Sequence, residues 1–201
     1  MQSQEAITCF GGGRGQSTTL EAIALYHPRE LINSVCTSAD DGGDSGRKRL
    51  IGERLGVQIV PPGDMRRCMQ PLASPKAQLW WRDFAEMRRT EDCGDFEGLT
   101  FRSLCLIAKK SCQIRFTICP EASEILNYKF GPEWGKLDNS CLGNTMLAIC
   151  QIKYGVQEGI DVARKIIDVP GDLAPVSLVP GHINAVYGLL GRPESHIRTS
   201  G

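Results

Sequence analysis

Two rhythms of apolar residues alternate along this chain. Ala6 to Phe10 is a short β-rich run stopped by glycines, which predicts a buried strand. Residues 16–27 set Leu20, Ile23 and Ala24 on one side and meet Pro28, which predicts a helix and its stop. Leu31 to Thr37 is a second apolar run, ending in Ser38, Ala39, Asp40 and Asp41. Strand, helix and strand within about 35 residues predict a βαβ unit, hence a parallel sheet.

After Pro61, Pro62 and Gly63, Asp64 is placed to cap a helix whose Met65, Cys68, Met69 and Leu72 recur at i, i+3, i+4, i+7. Residues 76–98 surround Trp80 and Trp81 with charge and predict a helix, then a loop ending near Gly94; the two tryptophans suit a core or interface anchor. Phe101–Ala108 and Gln113–Cys119 predict further strands, whereas residues 120–141 carry no clear period. Two helices follow, striped by Leu142, Met146, Ile149 and Cys150 and then by Val156, Ile160, Ala163 and Ile167, with Pro170 and Gly171 as the stop. Ala174 to Val179 predicts a last strand, and residues 188–201 a loose polar tail. There is no internal repeat. The expectation is a single doubly wound α/β domain over residues 1–201 with a mainly parallel sheet.

Composition narrows this picture. Lys and Arg total 23 and Asp and Glu total 23, so the basic excess that supplies most duplex affinity is missing and a nucleic-acid partner is not expected. No apolar run nears the roughly 20 residues that span a bilayer, and the first residues lack a signal peptide's pattern. No membrane association and a cytoplasmic location are the expectation. Nine cysteines lie without a C-x-x-C pair, and Cys9, Cys36, Cys105 and Cys150 sit in apolar runs, which favours buried free thiols over a zinc site.

Chemistry concentrates in the two glycine-rich turns. Gly11, Gly12, Gly13 and Gly15, with Arg14, Ser17 and Thr18, lie between a predicted strand and a predicted helix. Glycines let backbone N–H groups approach a ligand closely, and a helix N-terminus offers unpaired donors, so phosphate is the natural guest. The pattern is no Walker A loop and lacks the third glycine of a dinucleotide fingerprint, where Thr18 stands. The second turn, Asp40, Asp41, Gly42, Gly43, Asp44, Ser45, Gly46 and Arg47, follows the second strand and should face the same crevice. Its acids suit either ribose hydroxyls or Mg²⁺ held against a diphosphate, and Arg47 suits phosphate; a solvated turn capping a helix is the plainer alternative. Asp64, Arg66 and Arg67 taken alone read as an ordinary helix start with two exposed arginines.

In order and spacing, Gly11–Thr18, Ala39–Arg47 and Pro61–Ala73 resemble the start of the CofD/YvcK family. They are most similar to its YvcK branch, the gluconeogenesis factors, with loops of the form GGG-x-G-x-S-T and A-D-D-G-G-x-S-G-R and a P-P-G-D-M-R helix start. Leu142-Gly143-Asn144 and the segment from Gly171 to Ser177 agree. The resemblance implies a Rossmann-like fold and a nucleotide-diphosphate ligand bound through Gly12, Gly13, Arg14, Gly15, Ser17, Thr18, Gly42, Gly43, Ser45, Arg47, Asp64 and Asn144. It implies a cytoplasmic UDP-sugar-binding regulator tied to carbon metabolism, cell-wall synthesis and cell shape, with a homodimer as one assembly. The alternative it carries is a 2-phospho-L-lactate transferase that takes a GDP-linked donor with Mg²⁺. Asp40 and Asp41 would then hold the metal and help orient or deprotonate the acceptor hydroxyl. An NAD(P)-dependent oxidoreductase is a weaker alternative. Four departures stand out. Arg14 replaces a small Thr, Asp44 replaces Ser, and Asn139-Ser140-Cys141 replaces Gly-His-Ser. The family also continues well beyond the position of Gly201, so a shortened member is expected.

Overall fold

A computed structural model of the chain describes residues 5–40, 42–88, 96–108, 119–135, 139–181, 185–187 and 195–197. The βαβ unit is present. Strand β1 (Ile7–Gly11) leads into helix α1 (Gly13–Ile23), and β2 (Ile32–Cys36) returns parallel to β1, with Ile7 opposite Ile32 and Gly11 opposite Cys36. Among the described residues six α-helices follow, α2 (Gly43–Leu55), α3 (Pro62–Leu72), α4 (Pro75–Glu86), α5 (Phe101–Ala108), α6 (Pro120–Leu126) and α7 (Leu142–Tyr154). Helix α8 (Val156–Ile167) then delivers β3 (Leu173–Pro175), which pairs parallel to β2 and closes the order β1-β2-β3. A separate antiparallel pair joins β4 (Ala185–Tyr187) to β5 (Ser195–Ile197). This is the α/β architecture with a parallel sheet that the chain predicts.

Side-chain alternation decides which face of the sheet is covered. Ile32, Ser34 and Cys36 of β2 and Leu173 of β3 are buried, while Phe10 on the other face is 75% exposed. Helix α3 lies over the buried face by its stripe of Met65, Cys68, Met69 and Leu72, all fully buried. Each such side chain contributes roughly 1.5–3 kcal/mol, an upper figure since the unfolded chain is not fully extended. Helix α7 is buried from Leu142 through Gln151 and forms the centre of the helical layer. Trp81 and Phe84 of α4 join Phe101, Phe130 and Trp134 in an aromatic cluster whose edge-to-face pairs include Phe130–Trp134 at 4.9 Å between centroids. Trp80 and Trp81 are thus core anchors.

Three expectations change. Phe101–Ala108 is helix α5 and not a strand: Phe101, Leu104 and Cys105 are buried at i, i+3, i+4, and the Thr100 hydroxyl accepts the Ser103 N–H at 3.1 Å as a cap. Asp64 does not precede α3 but lies in its first turn, behind Pro61 and Pro62, because proline at the first helical position needs no N–H partner. The strand expected over Ala174–Val179 is β3, which ends at Pro175 and is followed by β4 and β5. The expected strand over Gln113–Cys119 falls outside the described residues except for Cys119, whose sulfur accepts the Ala122 N–H at the start of α6. The tail from 188 also falls outside them, apart from β5.

Candidate functional site

Both glycine turns stand at the carboxyl ends of β1 and β2, where an open parallel sheet presents its ligand crevice. Close approach dictates glycine at position 12. A Cβ there would stand 2.4 Å from Thr37 Cγ2 and 2.8 Å from Asp64 Oδ2, so this residue lets β1, the loop after β2 and α3 meet. Gly13 follows at φ +63°, the left-handed region that glycine enters without strain. The Asp64 carboxylate lies beside Gly12 at the start of α1, where the Gly13 N–H favours its ionised form. The Arg67 guanidinium holds the same carboxylate at 3.0 Å.

The second turn is organised by Asp40, whose Oδ1 accepts the Gly42 N–H at 3.1 Å and so presents the start of α2. Ser45 in the first turn of α2 accepts the Gly63 N–H at 3.3 Å, and a Cβ on Gly63 would collide with that hydroxyl at 2.6 Å. Around this meeting point lies a cleft of about 590 Å³. Asp40, Gly42, Gly43, Ser45, Arg47, Asp64 and Asn144, all anticipated from the sequence, line it together. Burial and then the charge of Asp40 push the Asp64 carboxyl above its ordinary value, against the opposing pull of Arg67.

Beneath the cleft runs a buried polar network. Lys48 is fully buried, with its ammonium 3.2 Å from Asp44 and 5.6 Å from the centre of the Trp134 ring. Asp44 also accepts from Ser140 Oγ at 2.9 Å, the Cys141 N–H at 3.2 Å and Asn144 Nδ2 at 2.9 Å. Burial works against the Asp44 carboxylate, yet Lys48 and these three donors hold its pKa below the ordinary value. Asn144 Oδ1 accepts from Arg66 Nε at 2.9 Å, and Arg66 pairs in turn with Glu86. The chain of contacts ties α2, α3 and α4 to the first turn of α7. Arg66 is therefore buried, 3% exposed, and not the surface arginine that a bare helix start suggests.

The first turn contributes less to this cleft than its sequence implies. Gly12 and Gly13 shape it. Arg14 and Thr18 are exposed, and with Ser17 they line an adjoining hollow instead. The Ser17 hydroxyl donates to the Arg67 carbonyl at 2.9 Å, and Gly15 lies exposed within α1. Asp41 lies outside the described residues. No group of three or more His, Cys, Asp or Glu that would hold a metal ion occurs among the described residues, and Asp40, Asp44 and Asp64 are the carboxylates on the cleft. Charged and polar cleft residues that the sequence reading did not assign to the site include Asp44, Arg66, Arg67, Arg88 and Asn139. The P-P-G-D-M-R start held the signal for Arg66 and Arg67; Arg88, which donates to the Asn139 carbonyl at 2.9 Å, had none. A hollow of about 610 Å³ between β2, β3 and α8 lies apart from both turns, and its Arg164 is paired with Asp161 and Asp172. Cys36, Cys105 and Cys150 are buried as expected, and Cys9 is partly so.

A parallel sheet with glycine turns and a basic cleft at its carboxyl edge places the molecule in the Rossmann-like α/β class. Residues 7–200 match the family described as 2-phospho-L-lactate transferase CofD, and the chain belongs to that family. A Mycobacterium leprae protein named "Putative gluconeogenesis factor" is 44% identical over 196 residues, which cover 96% of this chain and 41% of that protein. The Bacillus subtilis "Gluconeogenesis factor" is 40% identical over 130 residues, 64% of this chain and 38% of the relative. A solved member of the UPF0052 family from Bacillus halodurans superposes with a TM-score of 0.52 at 20% identity, over 96% of this chain and 46% of that one, a likeness of fold. The chain thus spans less than half the length of these relatives. No described helix is long and apolar enough to cross a membrane.

Proposed function

We propose that this protein binds a nucleotide-diphosphate ligand in the cleft between the two glycine turns and acts as a cytoplasmic regulator of the gluconeogenesis-factor type, with a UDP-sugar as ligand. The observation that carries the reading is the convergence of Arg47, Arg66, Arg67 and Arg88 on one cleft beside the uncapped start of α2. Guanidinium groups bond phosphate in a bidentate, charge-assisted way, and a helix N-terminus adds backbone donors and a favourable dipole. Ribose hydroxyls would find Asp40 and Asn144. The names of the relatives support the regulatory role, and the link to carbon metabolism and cell-wall synthesis rests on the resemblance.

A transferase is the second reading, favoured by the family's description and by one feature of the site. Burial and the neighbouring Asp40 raise the pKa of Asp64, and a carboxyl raised in this way suits proton handling at an acceptor hydroxyl. Asp40 and its sequence neighbour Asp41, with ligand phosphate oxygens, would offer the oxygen donors that Mg²⁺ favours, and the ion would neutralise a diphosphate leaving group.

A thermal-shift screen against UDP-sugars and GDP, with and without Mg²⁺, separates the two. Stabilisation follows RT ln(1 + [L]/Kd), so about 2.7 kcal/mol is expected at a hundredfold excess over Kd. A shift with UDP-sugars supports the regulator, and one confined to GDP with Mg²⁺ supports the transferase. No shift with either refutes nucleotide binding by this chain.

A further inference from the structure

Beside the main cleft, a hollow of about 250 Å³ opens between the first turn of α1 and helices α3 and α4. Arg14, Arg66, Arg67 and Arg88 border it, with Glu86 as the one acid among the described residues that line it. Glu86 is engaged by Arg66, and the Arg66 bond holds its carboxyl below the ordinary value although burial pulls the other way. Arg88 is bonded to a neutral carbonyl, that of Asn139. Arg14 makes no ion pair among the described residues. Arg67 is held by Asp64 at 3.0 Å, so four guanidiniums meet two carboxylates among the described residues, and the remaining excess of positive charge is relieved when an anion sits among them. A nucleotide diphosphate in the main cleft reaches Arg66, Arg67 and Arg88 but leaves Arg14 unanswered, because Arg14, with Ser17 and Thr18, borders only the second of these two volumes.

We propose that this hollow is a subsite for an acidic group, carboxylate or phosphate, carried by the part of the ligand beyond the diphosphate. The proposal rests on the nucleotide-diphosphate reading of the neighbouring cleft. Arg66, Arg67 and Arg88 border both volumes, so one ligand spans them without crossing a wall. The ligand class narrows accordingly, from any nucleotide sugar to one whose attached group bears its own negative charge. Arg14, exposed in the first turn of α1, making no ion pair among the described residues and bordering only the second volume of the two, is the determinant of that selectivity.

Calorimetry with the full chain tests this on matched pairs that differ by a carboxylate, UDP-glucose against UDP-glucuronate and GDP-mannose against GDP-mannuronate. The acidic member of the pair that binds is expected to bind about tenfold more tightly, equivalent to about 1.4 kcal/mol. In Arg14→Met the ratio is expected to fall to about one, and in the wild type it should shrink with added salt. Equal affinities within a pair in the wild type would overturn the subsite and leave the nucleotide reading standing. So would an Arg14→Met variant that keeps the full preference. Binding of none of the four ligands to a chain that still melts cooperatively would overturn both.

Discussion

Replacing Asp44 by alanine strands the ammonium of Lys48 in the interior. The Asp44 side chain is 7% exposed and that of Lys48 not at all, with 3.2 Å between the charges. Removing one partner of such a pair costs about 3–5 kcal/mol, because the survivor keeps its desolvation penalty without its counter-charge. The Cys141 N–H and Asn144 Nδ2 lose their acceptor in the same step. For a chain of this size each kcal/mol moves the melting temperature by about 2–4 °C, so Asp44→Ala should melt roughly 6–20 °C lower. Lys48→Met in the same background removes the stranded charge and fills its space with an apolar chain, and the double variant should regain at least about half of the loss. Differential scanning calorimetry on the wild type, both single variants and the double variant closes the cycle. A drop of less than about 3 °C for Asp44→Ala, or a double variant no more stable than that single one, would refute the account of a charged pair supporting the cleft.

The remaining predictions concern charge and backbone. Asp44 has a depressed carboxyl pKa in the fold, so its contribution is complete above the unfolded value near 3.8 and disappears as pH falls through the folded value. The gap in stability between wild type and Asp44→Ala should therefore narrow below that pH, and a gap constant down to full protonation would contradict it. Asp40→Asn removes one cause of the raised Asp64 carboxyl and should lower its midpoint in a carboxyl-carbon NMR titration, while burial keeps part of the elevation. Gly12→Ala must push aside Thr37 and Asp64 and should cost about 1–3 kcal/mol. Gly13→Ala meets open space but must hold φ +63°, for about 1–2 kcal/mol, so urea midpoints should fall further for the first.

The sequence exposed those elements whose buried side is apolar. Strand β2 and helices α3, α7 and α8 all carry such a side and their apolar periods match the buried residues, whereas β1, expected to be a buried strand, keeps Ile7 and Cys9 only half-buried and Phe10 exposed, because it lies at the edge of the sheet. Helix α5 was misread because Leu104, Cys105, Leu106 and Ile107 form an unbroken apolar run, in which a short strand and a helix look alike. Helix α2 had no apolar period to find: its buried stripe is Ser45, Lys48, Arg49 and Gly52 at i, i+3, i+4, i+7. A lysine or an arginine reads as surface until its partner is known. The partners of Lys48 and Arg66 (Ser140, Asn144 and Glu86) come from distant segments that spacing alone does not bring together. For the site, the second turn, Asp64 and Asn144 were legible as motifs. The division of the basic residues between two neighbouring volumes was not, since it depends on how α1 and α4 lean against α3.

Lys48 also makes the molecule its own sensor. An amine-reactive reagent reaches this nitrogen only after α2 and the first turn of α7 have separated, so acylation there reports opening and the surface lysines provide the unprotected control. Mass spectrometry of the peptide that holds Lys48 should show acylation slowed by the fraction of time the network is open. Any small molecule that fastens α2 to its neighbours should slow it further. A search for the natural ligand in a mixed extract can therefore proceed without a label on the ligand and without an assay for turnover.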